Sequence, residues 1–305
     1  MNIKYYDIKT INKKIDTNLK KLIMDNESRY RGQLFKIADR VIKQGVHMIL
    51  LAGPSCAGKT TSSRLLKEIL ELKGRDVVAI SMDDFFIDLA KRPILENGKP
   101  DFESPNILNY DLMKKCFSSF FEGKETWFPR YDFKEGKNHA EGYKLKTTYN
   151  TIVIFEGLHV LNPRLIDSIG TNRFFKVYIG AMNSYALGRD RMTTKDLRLL
   201  RRTVRDIERR GYSPKQTLDV WPEVVSAEVQ FIDPYRNNVD FYIDTMHEFE
   251  LGIFRAEIDR YISEGRMLRE DIPFPQFVNA VTPIDKRLLP VTTLMWEFVD
   301  PPKEN

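Results

Sequence analysis

The sequence predicts an α/β protein in which a parallel sheet is flanked by helices, with a helical N-terminal extension and a C-terminal appendage. Three observations predict it. Short apolar runs typical of buried strands alternate with helical segments, a glycine-rich loop follows the first run, and acidic residues follow two others. Because strand–helix–strand units are right-handed and lay helices over the sheet, the alternation favours a sheet covered on both faces.

The individual elements follow from periodicity. Residues 1–45 predict a helical extension, since apolar residues recur about every 3.6 positions from Tyr30 to Ile42 and Gly45 is placed to end the helix. Helices are also expected at Lys59–Leu72 and 249–262, the latter followed by a Pro-rich tail that carries no motif. The expected strands are 46–52, 77–82, 151–155, 174–179 and 241–243.

Composition sets limits on function. The 305 residues carry a formal charge of only +5, which is compatible with phosphate binding and too small by itself to argue for a nucleic-acid partner. No apolar stretch approaches the length of a membrane span, and the N-terminus has no signal-peptide core. Two isolated cysteines, Cys56 and Cys116, suggest a reduced compartment, so a cytoplasmic protein is expected.

The glycine-rich loop from Gly53 to Thr60 fits the pattern G-x-x-x-x-G-K-[ST] between a strand and a helix. In such a loop, successive N–H groups and a helix N-terminus hold phosphate oxygens, the lysine neutralises the β- and γ-phosphates, and the Thr hydroxyl binds Mg²⁺. Cys56 is expected to be a small filler, because nothing nearby supplies a general base. The predicted nucleotide-binding residues are Gly53, Pro54, Ser55, Cys56, Ala57, Gly58, Lys59, Thr60 and Thr61.

Acidic residues stand at two predicted strand ends. Asp83 and Asp84 follow the strand 77–82, and Glu156 follows the strand 151–155. Ligands of open parallel sheets bind beyond the carboxyl ends of the strands, beside the phosphate loop. Phosphoryl transfer needs one carboxylate at the attacking hydroxyl and another at the metal. Spacing alone does not choose between Asp83 and Asp84.

Residues 195–211, KDLRLLRRTVRDIERRG, predict an arginine-rich helix that ends at Gly211. Four arginines lie within about 60° of one another at 100° per residue, with Arg201 beside them: Arg198, Arg202, Arg205 and Arg209. Such a face suits a lid over transferring phosphates. The alternatives are a solvated basic face paired with Asp196, Asp206 and Glu208, or a nucleic-acid patch.

Six ordered blocks between residues 46 and 244 resemble the uridine kinase and phosphoribulokinase family of P-loop kinases, most closely its bacterial uridine kinase-like branch. They are the phosphate loop, SMDDFF (81–86), DFESPN (101–106), FPRYDF (128–133), FEGLHVLNP (155–163) and LRLLRRTVRDIERRGYSPKQTLDVWP (197–222). The resemblance implies a P-loop NTPase-type sheet and a kinase that uses ATP (or GTP) with Mg²⁺.

The resemblance also implies roles for individual residues. Asp83 matches the catalytic base toward the acceptor hydroxyl, which chooses it over Asp84. Glu103 matches an acid that binds ribose hydroxyls, and Tyr131 and Phe133 match aromatic residues of the acceptor pocket. Glu156 matches the acid near Mg²⁺, so the predicted metal ligands are Thr60, Glu156 and Asp83. The residues that match lid arginines in contact with phosphates and acceptor are Arg202, Arg205 and Arg210.

Three positions depart from the pyrimidine nucleoside kinases. A histidine that helps to read the base is replaced by Gly136, and two further base-side positions, normally arginine and glutamine, are Tyr212 and Val220. His139 is expected to lie at the surface rather than to substitute for the missing histidine. A site that discriminates a base needs its polar partners. The phosphoryl-transfer residues therefore look complete while the pyrimidine-reading residues do not.

The sequence thus predicts three parts: a helical extension (1–45), a kinase domain with an arginine-rich lid (46–247), and a C-terminal helix and tail (248–305). The favoured function is phosphorylation of the 5′-hydroxyl of a nucleoside such as uridine or cytidine. One alternative keeps the chemistry with a sugar, sugar phosphate or other polyol as acceptor. The other is a nucleotide-binding regulatory or RNA-associated module without catalysis. The expected partner is a small-molecule acceptor, and association into a homo-oligomer is compatible with the sequence. No membrane association is expected.

Overall fold

A five-stranded parallel sheet forms the centre of the protein, as predicted. The computed structural model describes residues 3–96, 98–170 and 173–302. In spatial order the strands are β10 (Phe241–Asp244), β7 (Phe175–Gly180), β2 (Met48–Ala52), β6 (Thr151–Gly157) and β3 (Asp76–Ser81). All neighbouring pairs are parallel. The bounds of each predicted strand agree with the structure to within two residues.

Two smaller sheets were not predicted. One joins β1 (Tyr5–Asp7), β8 (Ser184–Leu187) and β9 (Asp190–Arg191). The other is an antiparallel hairpin of β4 (Thr126–Asp132) and β5 (Lys137–Leu145). The hairpin matters for function, because it carries the predicted acceptor residues of the block at 128–133.

Eight α-helices are present in the described part of the chain, in addition to the strands. They are α1 (Ile8–Gln44), α2 (Lys59–Leu72), α3 (Tyr110–Phe121), α4 (Pro163–Ile169), α5 (Thr194–Arg209), α6 (Pro214–Phe231), α7 (Glu250–Ser263) and α8 (Pro275–Ala280). The predicted end of the first helix is confirmed, since Gly45 takes φ +61° and its N–H bonds back into the last turn. That helix begins at residue 8, after Asp7, whose side chain accepts a hydrogen bond from the Thr10 N–H. The backbone of Asn18 interrupts its helical geometry.

Hydrophobic side chains pack in two clusters, and β2 supplies both. Ile49 and Leu51 belong to one cluster, while Met48 and Leu50 belong to the other. Alternating side chains of a strand point to opposite faces, so both faces of the sheet are buried. The first cluster runs from Ile8 to Val299 and so includes residues of both terminal parts. The boundaries predicted near residues 45 and 247 remain predictions.

Candidate active site

The phosphate loop joins β2 to α2, as predicted. A Cβ added to Gly53 would lie 2.4 Å from the Ile179 carbonyl oxygen, so the start of the loop accepts no side chain. Cys56 is buried with φ +57°, a backbone conformation that non-glycine residues rarely adopt. The Lys59 ammonium donates to the Pro54 carbonyl at 3.1 Å. The lysine is therefore held at the loop, while the Thr60 side chain beside it is exposed.

The two predicted strand-end acids meet at the carboxyl edge of the sheet. Ser81 and Glu156 are register partners on β3 and β6, and the Ser81 hydroxyl donates to Glu156 Oε1 at 3.0 Å. The same hydroxyl accepts from the Asp83 N–H at 3.3 Å, at the start of the short helix Met82–Phe85. Ser81 thus fixes both acidic residues relative to each other.

The electrostatics of these acids centre on Lys59. Burial raises the pKa of Asp83, which the charge of Lys59 lowers and that of Asp84 raises. Burial also raises the pKa of Glu156 to about 7, again opposed by Lys59 and increased by Asp83. Nearby charges shift one another's pKa, and more strongly where solvation is poor. Lys59, Asp83 and Glu156 are therefore electrostatically coupled at the carboxyl edge of the sheet.

Asp84 has a different environment from Asp83. Its carboxylate accepts hydrogen bonds from the Tyr143 hydroxyl at 3.1 Å and from the Tyr131 N–H at 3.4 Å. It therefore ties the hairpin β4–β5 to the sheet edge. By contrast, within the part of the chain that the structure describes, no group donates a hydrogen bond to the Asp83 carboxylate. The hairpin therefore engages Asp84 and not Asp83, and the role of Asp83 as the base stays a prediction.

Glu103, on a separate loop, is electrostatically coupled to Lys59 and Asp83. Burial raises its pKa, Arg202 and Arg210 lower it, and Asp83 raises it. The loop is held by Asp101 Oδ1, which accepts the Glu103 N–H at 3.0 Å, and by His159 Nε2, which lies 2.8 Å from the Glu103 carbonyl oxygen. The sequence-predicted acid of the acceptor side is thus brought next to the predicted base.

The aromatic residues predicted for the acceptor pocket differ in burial. Tyr131 is buried, and its hydroxyl accepts from Arg92 Nη2 at 3.0 Å. Phe133 is 69% exposed, with its ring centroid 5.0 Å from that of Tyr131. The Arg92 guanidinium, which the sequence patterns did not single out, also lies over the rings of Phe86 and Phe102. Arg92 is only 6% exposed, and its Nε has no hydrogen-bond partner among the residues that the structure describes.

The three positions that depart from the pyrimidine nucleoside kinases do not provide a cluster of polar side chains. Gly136 occupies the hairpin turn with φ +65°, and its carbonyl accepts from the Leu89 N–H at 2.7 Å. Tyr212 is exposed and Val220 lies on α6. His139 lies at the surface, 3.6 Å from Glu135, as expected.

The arginine helix α5 packs against the phosphate loop. Arg201 is fully buried: it pairs with Glu250 at 2.8 Å and donates to the Cys56 carbonyl at 3.2 Å. Arg198 is also buried and pairs with Glu228 at 2.5 Å. Arg198 also donates to the Ser55 carbonyl at 3.3 Å, so both buried arginines join α5 to the phosphate loop. The lid face that includes Arg198 stays a prediction, since the helix angle shows which residues share a face but not which neighbour covers it.

The remaining arginines of this region converge on Asp206, which is fully buried. Arg202 Nε, Arg205 Nη2 and Arg210 Nε lie 3.4, 2.6 and 3.5 Å from its carboxylate oxygens. Arg202 also donates to the Ser55 hydroxyl in the phosphate loop at 3.0 Å. The structure therefore brings together the three arginines that were predicted as lid residues, around a carboxylate that serves as their common partner.

Ion pairs already engage the arginines of α5, which leaves few of their charges available to bind a nucleic acid. Arg209, the outermost member of the predicted face, contacts the Trp296 carbonyl and pairs with Asp300 at 3.3 Å. Asp196 closes a capping box with Thr193, and Glu208 pairs with Arg260. The predicted ion pairing with acidic residues is confirmed for Asp206, while Asp196 and Glu208 have other partners.

Within residues 3–96, 98–170 and 173–302, no group of three or more His, Cys, Asp or Glu side chains is arranged to hold a metal ion. A Mg²⁺ ion in a phosphate-transfer site usually has only one or two carboxylate ligands, besides waters and phosphate oxygens, so the ligand set Thr60, Glu156 and Asp83 stays a prediction. None of the described helices combines the length and apolarity that crossing a bilayer requires.

The strand–loop–helix, its lysine and the acids at the neighbouring strand ends define a P-loop kinase. A family profile described as "Phosphoribulokinase / Uridine kinase family" matches residues 48–251. The chain belongs to this family, and it is a phosphotransferase that acts on a hydroxyl group.

Individual relatives are uridine kinases. The chain is 28% identical over 208 residues to the uridine kinase of Ligilactobacillus salivarius, a match that covers 68% of this chain and 88% of that protein. It is 30% identical over 200 residues to the uridine kinase of Macrococcus caseolyticus, covering 64% and 86%. For the uridine kinase of Halobacterium salinarum the identity is 25% over 194 residues, covering 63% and 77%.

Proposed function

We propose that the chain transfers the γ-phosphoryl group of ATP (or GTP), bound with Mg²⁺, to the 5′-hydroxyl of a nucleoside such as uridine or cytidine. One observation carries the proposal: the Asp83 carboxylate, at the end of the strand beside the phosphate loop, accepts no hydrogen bond within the described chain, and the charge of Lys59 acts on it. A nucleotide-binding switch needs no such base. The uridine kinases among the relatives support the nucleoside as acceptor.

On the donor side, the residues would act on the phosphates. The N–H groups of the phosphate loop and the Lys59 ammonium would hold the β- and γ-phosphates. The Thr60 hydroxyl, Glu156 and Asp83 would hold Mg²⁺, which when bound neutralises charge on the phosphates. Arg202 and Arg205, already beside the loop, would stabilise the charge on the group being transferred.

On the acceptor side, Asp83 would take the proton of the attacking hydroxyl. Burial raises its pKa and so makes it a stronger base, while the nearby Lys59 charge favours its ionised form. Glu103, next to Asp83, would accept hydrogen bonds from neighbouring hydroxyls of the sugar. Tyr131, Phe133 and Arg210 would complete the wall of the acceptor pocket.

A second candidate keeps this chemistry with a sugar, sugar phosphate or other polyol as acceptor. Two observations favour it. Gly136 contributes only a backbone turn where pyrimidine kinases carry a base-reading histidine. Arg92 is a buried guanidinium that forms no salt bridge among the described residues, although its charge acts on Asp83 and Asp101, and it donates to the Tyr131 hydroxyl. A buried cation of this kind suits an acceptor that carries an anionic group.

The test is coupled ADP release with ATP and Mg²⁺ across nucleosides, sugars, sugar phosphates and polyols. We expect turnover with a nucleoside, and a loss of at least about a hundredfold in kcat for Asp83→Asn with little change in ATP affinity. Asp167→Asn, an exposed aspartate of α4, is the control and should match the parent. Turnover only with non-nucleosides would favour the second candidate. Equal turnover in Asp83→Asn and parent would refute the role of Asp83.

A further inference from the structure

The C-terminal segment packs directly on the phosphate loop. Residues 293–300, here called the C-terminal cover, include the short helix Leu294–Glu297. Leu294 is fully buried against the loop, since a Cβ added to Gly58 would lie 2.9 Å from Leu294 Cδ1. The sequence patterns assign no function to this segment. Its position makes it part of the surroundings of the nucleotide site.

Glu297 places a carboxylate on one of the amides of the loop. Its Oε2 accepts a hydrogen bond from the Thr61 N–H at 3.0 Å. The first N–H groups of a helix have no carbonyl partner within the helix, and here the intrahelical bonds begin with the Ser62 N–H, which bonds the Gly58 carbonyl at 3.1 Å. In phosphate loops these free amides hold phosphate oxygens. A carboxylate and a phosphate cannot occupy the same N–H together.

We propose that Glu297 is a built-in competitor of the nucleotide, which occupies a phosphate-binding amide and must leave it before a nucleoside triphosphate or diphosphate binds. The inference rests on nucleotide binding by the phosphate loop, as in the proposed function. It makes Glu297 a residue that sets nucleotide affinity.

The charge of Glu297 also bears on the acids of the site. Burial is the main cause of the raised pKa of Glu156, and the negative charge of Glu297 adds to the rise. Glu297 therefore lies near the acid proposed to bind the metal. Any anion that enters beside it meets like-charge repulsion until the Glu297 side chain turns away, which adds to the competition for the amide.

The cover is anchored independently of Glu297. Arg209 contacts the Trp296 carbonyl, and the Arg201 guanidinium lies 4.7 Å from the centroid of the Phe298 ring. On the other side, the Thr293 hydroxyl donates to Glu27 of α1. With these anchors in place, rotation of one side chain is enough to free the Thr61 N–H. Substitution of Glu297 therefore tests the competition without removing the cover.

The expected effect is about fivefold tighter binding of nucleotide when the carboxylate is removed. While Glu297 occupies the amide, the molecule cannot bind nucleotide. The apparent affinity for nucleotide is therefore the intrinsic affinity multiplied by the fraction of molecules in which the amide is free. Fivefold corresponds to about 1 kcal/mol at 1.4 kcal/mol per tenfold, the size typical of a carboxylate at a helix N-terminus.

The experiment is calorimetric titration of the full chain with ADP and Mg²⁺, combined with thermal unfolding. Glu297→Gln keeps the shape without the charge, and Glu297→Ala removes the acceptor altogether. Glu270→Gln removes an exposed charge from the same C-terminal part and is the matched control. We expect about fivefold lower Kd for both Glu297 variants, with no change for Glu270→Gln. Both Glu297 variants should also show a larger ADP-induced rise in Tm than the parent.

Two results would overturn the inference. A lower Tm with unchanged Kd would show that Glu297 only caps α2. Weaker ADP binding in both variants would show that Glu297 assists nucleotide or metal binding. Because ADP binding requires no acceptor, the titration stays informative even if no nucleoside is phosphorylated. The failure of the proposed acceptor and the failure of this inference are thus distinguishable.

Discussion

The buried pair Arg201–Glu250 gives a quantitative prediction about how the phosphate loop is held. Both side chains are 0% exposed. The guanidinium donates to both Glu250 oxygens, to the hydroxyl and carbonyl of Thr245, and to the Cys56 carbonyl. One side chain thus joins α5, α7 and the phosphate loop. Replacing Arg201 with Met keeps most of its volume and removes all five hydrogen bonds.

The magnitude follows from the charge that remains. Removing one partner of a buried ion pair costs about 3–5 kcal/mol, because the other charge is left without compensation. Burial already raises the pKa of Glu250 even with Arg201 beside it, so proton uptake by the carboxyl limits the loss. In Arg201→Met/Glu250→Leu the unpaired charge is absent. That variant should lose only about 1–3 kcal/mol, because the Thr245 and Cys56 carbonyls lose the Arg201 donor and the His247 N–H loses its Glu250 acceptor.

Urea unfolding followed by circular dichroism measures these changes as shifts of the midpoint at constant slope. The surface pair Lys215–Asp219, whose side chains are 75% and 60% exposed, supplies the control. Lys215→Met should cost less than about 1 kcal/mol. If Arg201→Met costs no more than Lys215→Met, or the double variant is less stable than the single one, the reasoning is wrong.

Three further predictions concern single residues. Asp206→Asn should lower the free energy of unfolding by about 3 kcal/mol, because three guanidinium groups lose their shared buried charge; an unchanged urea midpoint would contradict this. Burial lowers the pKa of His159 from 6.5 to about 4, so the folded state binds fewer protons in that interval and stability falls as pH decreases from 6.5 to 4. His159→Gln should remove about 3 kcal/mol of that fall, measured as the difference between the two pH–stability curves; parallel curves would refute it. Gly136→His should destabilise the fold by at least about 1 kcal/mol without improving nucleoside turnover, since φ is +65° and its Cβ would lie 2.9 Å from that of Leu89; a gain in turnover would show that the turn can carry a base-reading side chain.

Local sequence patterns were sufficient to predict the strands of the central sheet and the acidic residues at its carboxyl edge. Buried parallel strands are continuous apolar runs, so β2 and β6 were recognisable from a few residues each. The hairpin β4–β5 was missed because β5 is mostly exposed and polar, and only the block at 128–133 indicated that this region matters. The choice of Asp83 over Asp84 rests on the resemblance, since spacing did not choose between adjacent residues, and the structure adds that Asp84 is bonded to the hairpin.

The sequence by itself determined the class of protein, because the phosphate loop and the strand-end acids are local features whose meeting point follows from parallel-sheet topology. Only the tertiary structure decided which acidic residue each arginine of α5 pairs with, since periodicity describes one helix and not its neighbours. It also decided that Glu297 meets Thr61, across 236 positions of the chain. A contact between segments so far apart leaves no periodic pattern in the sequence, because it arises from how the C-terminal cover packs on the folded core.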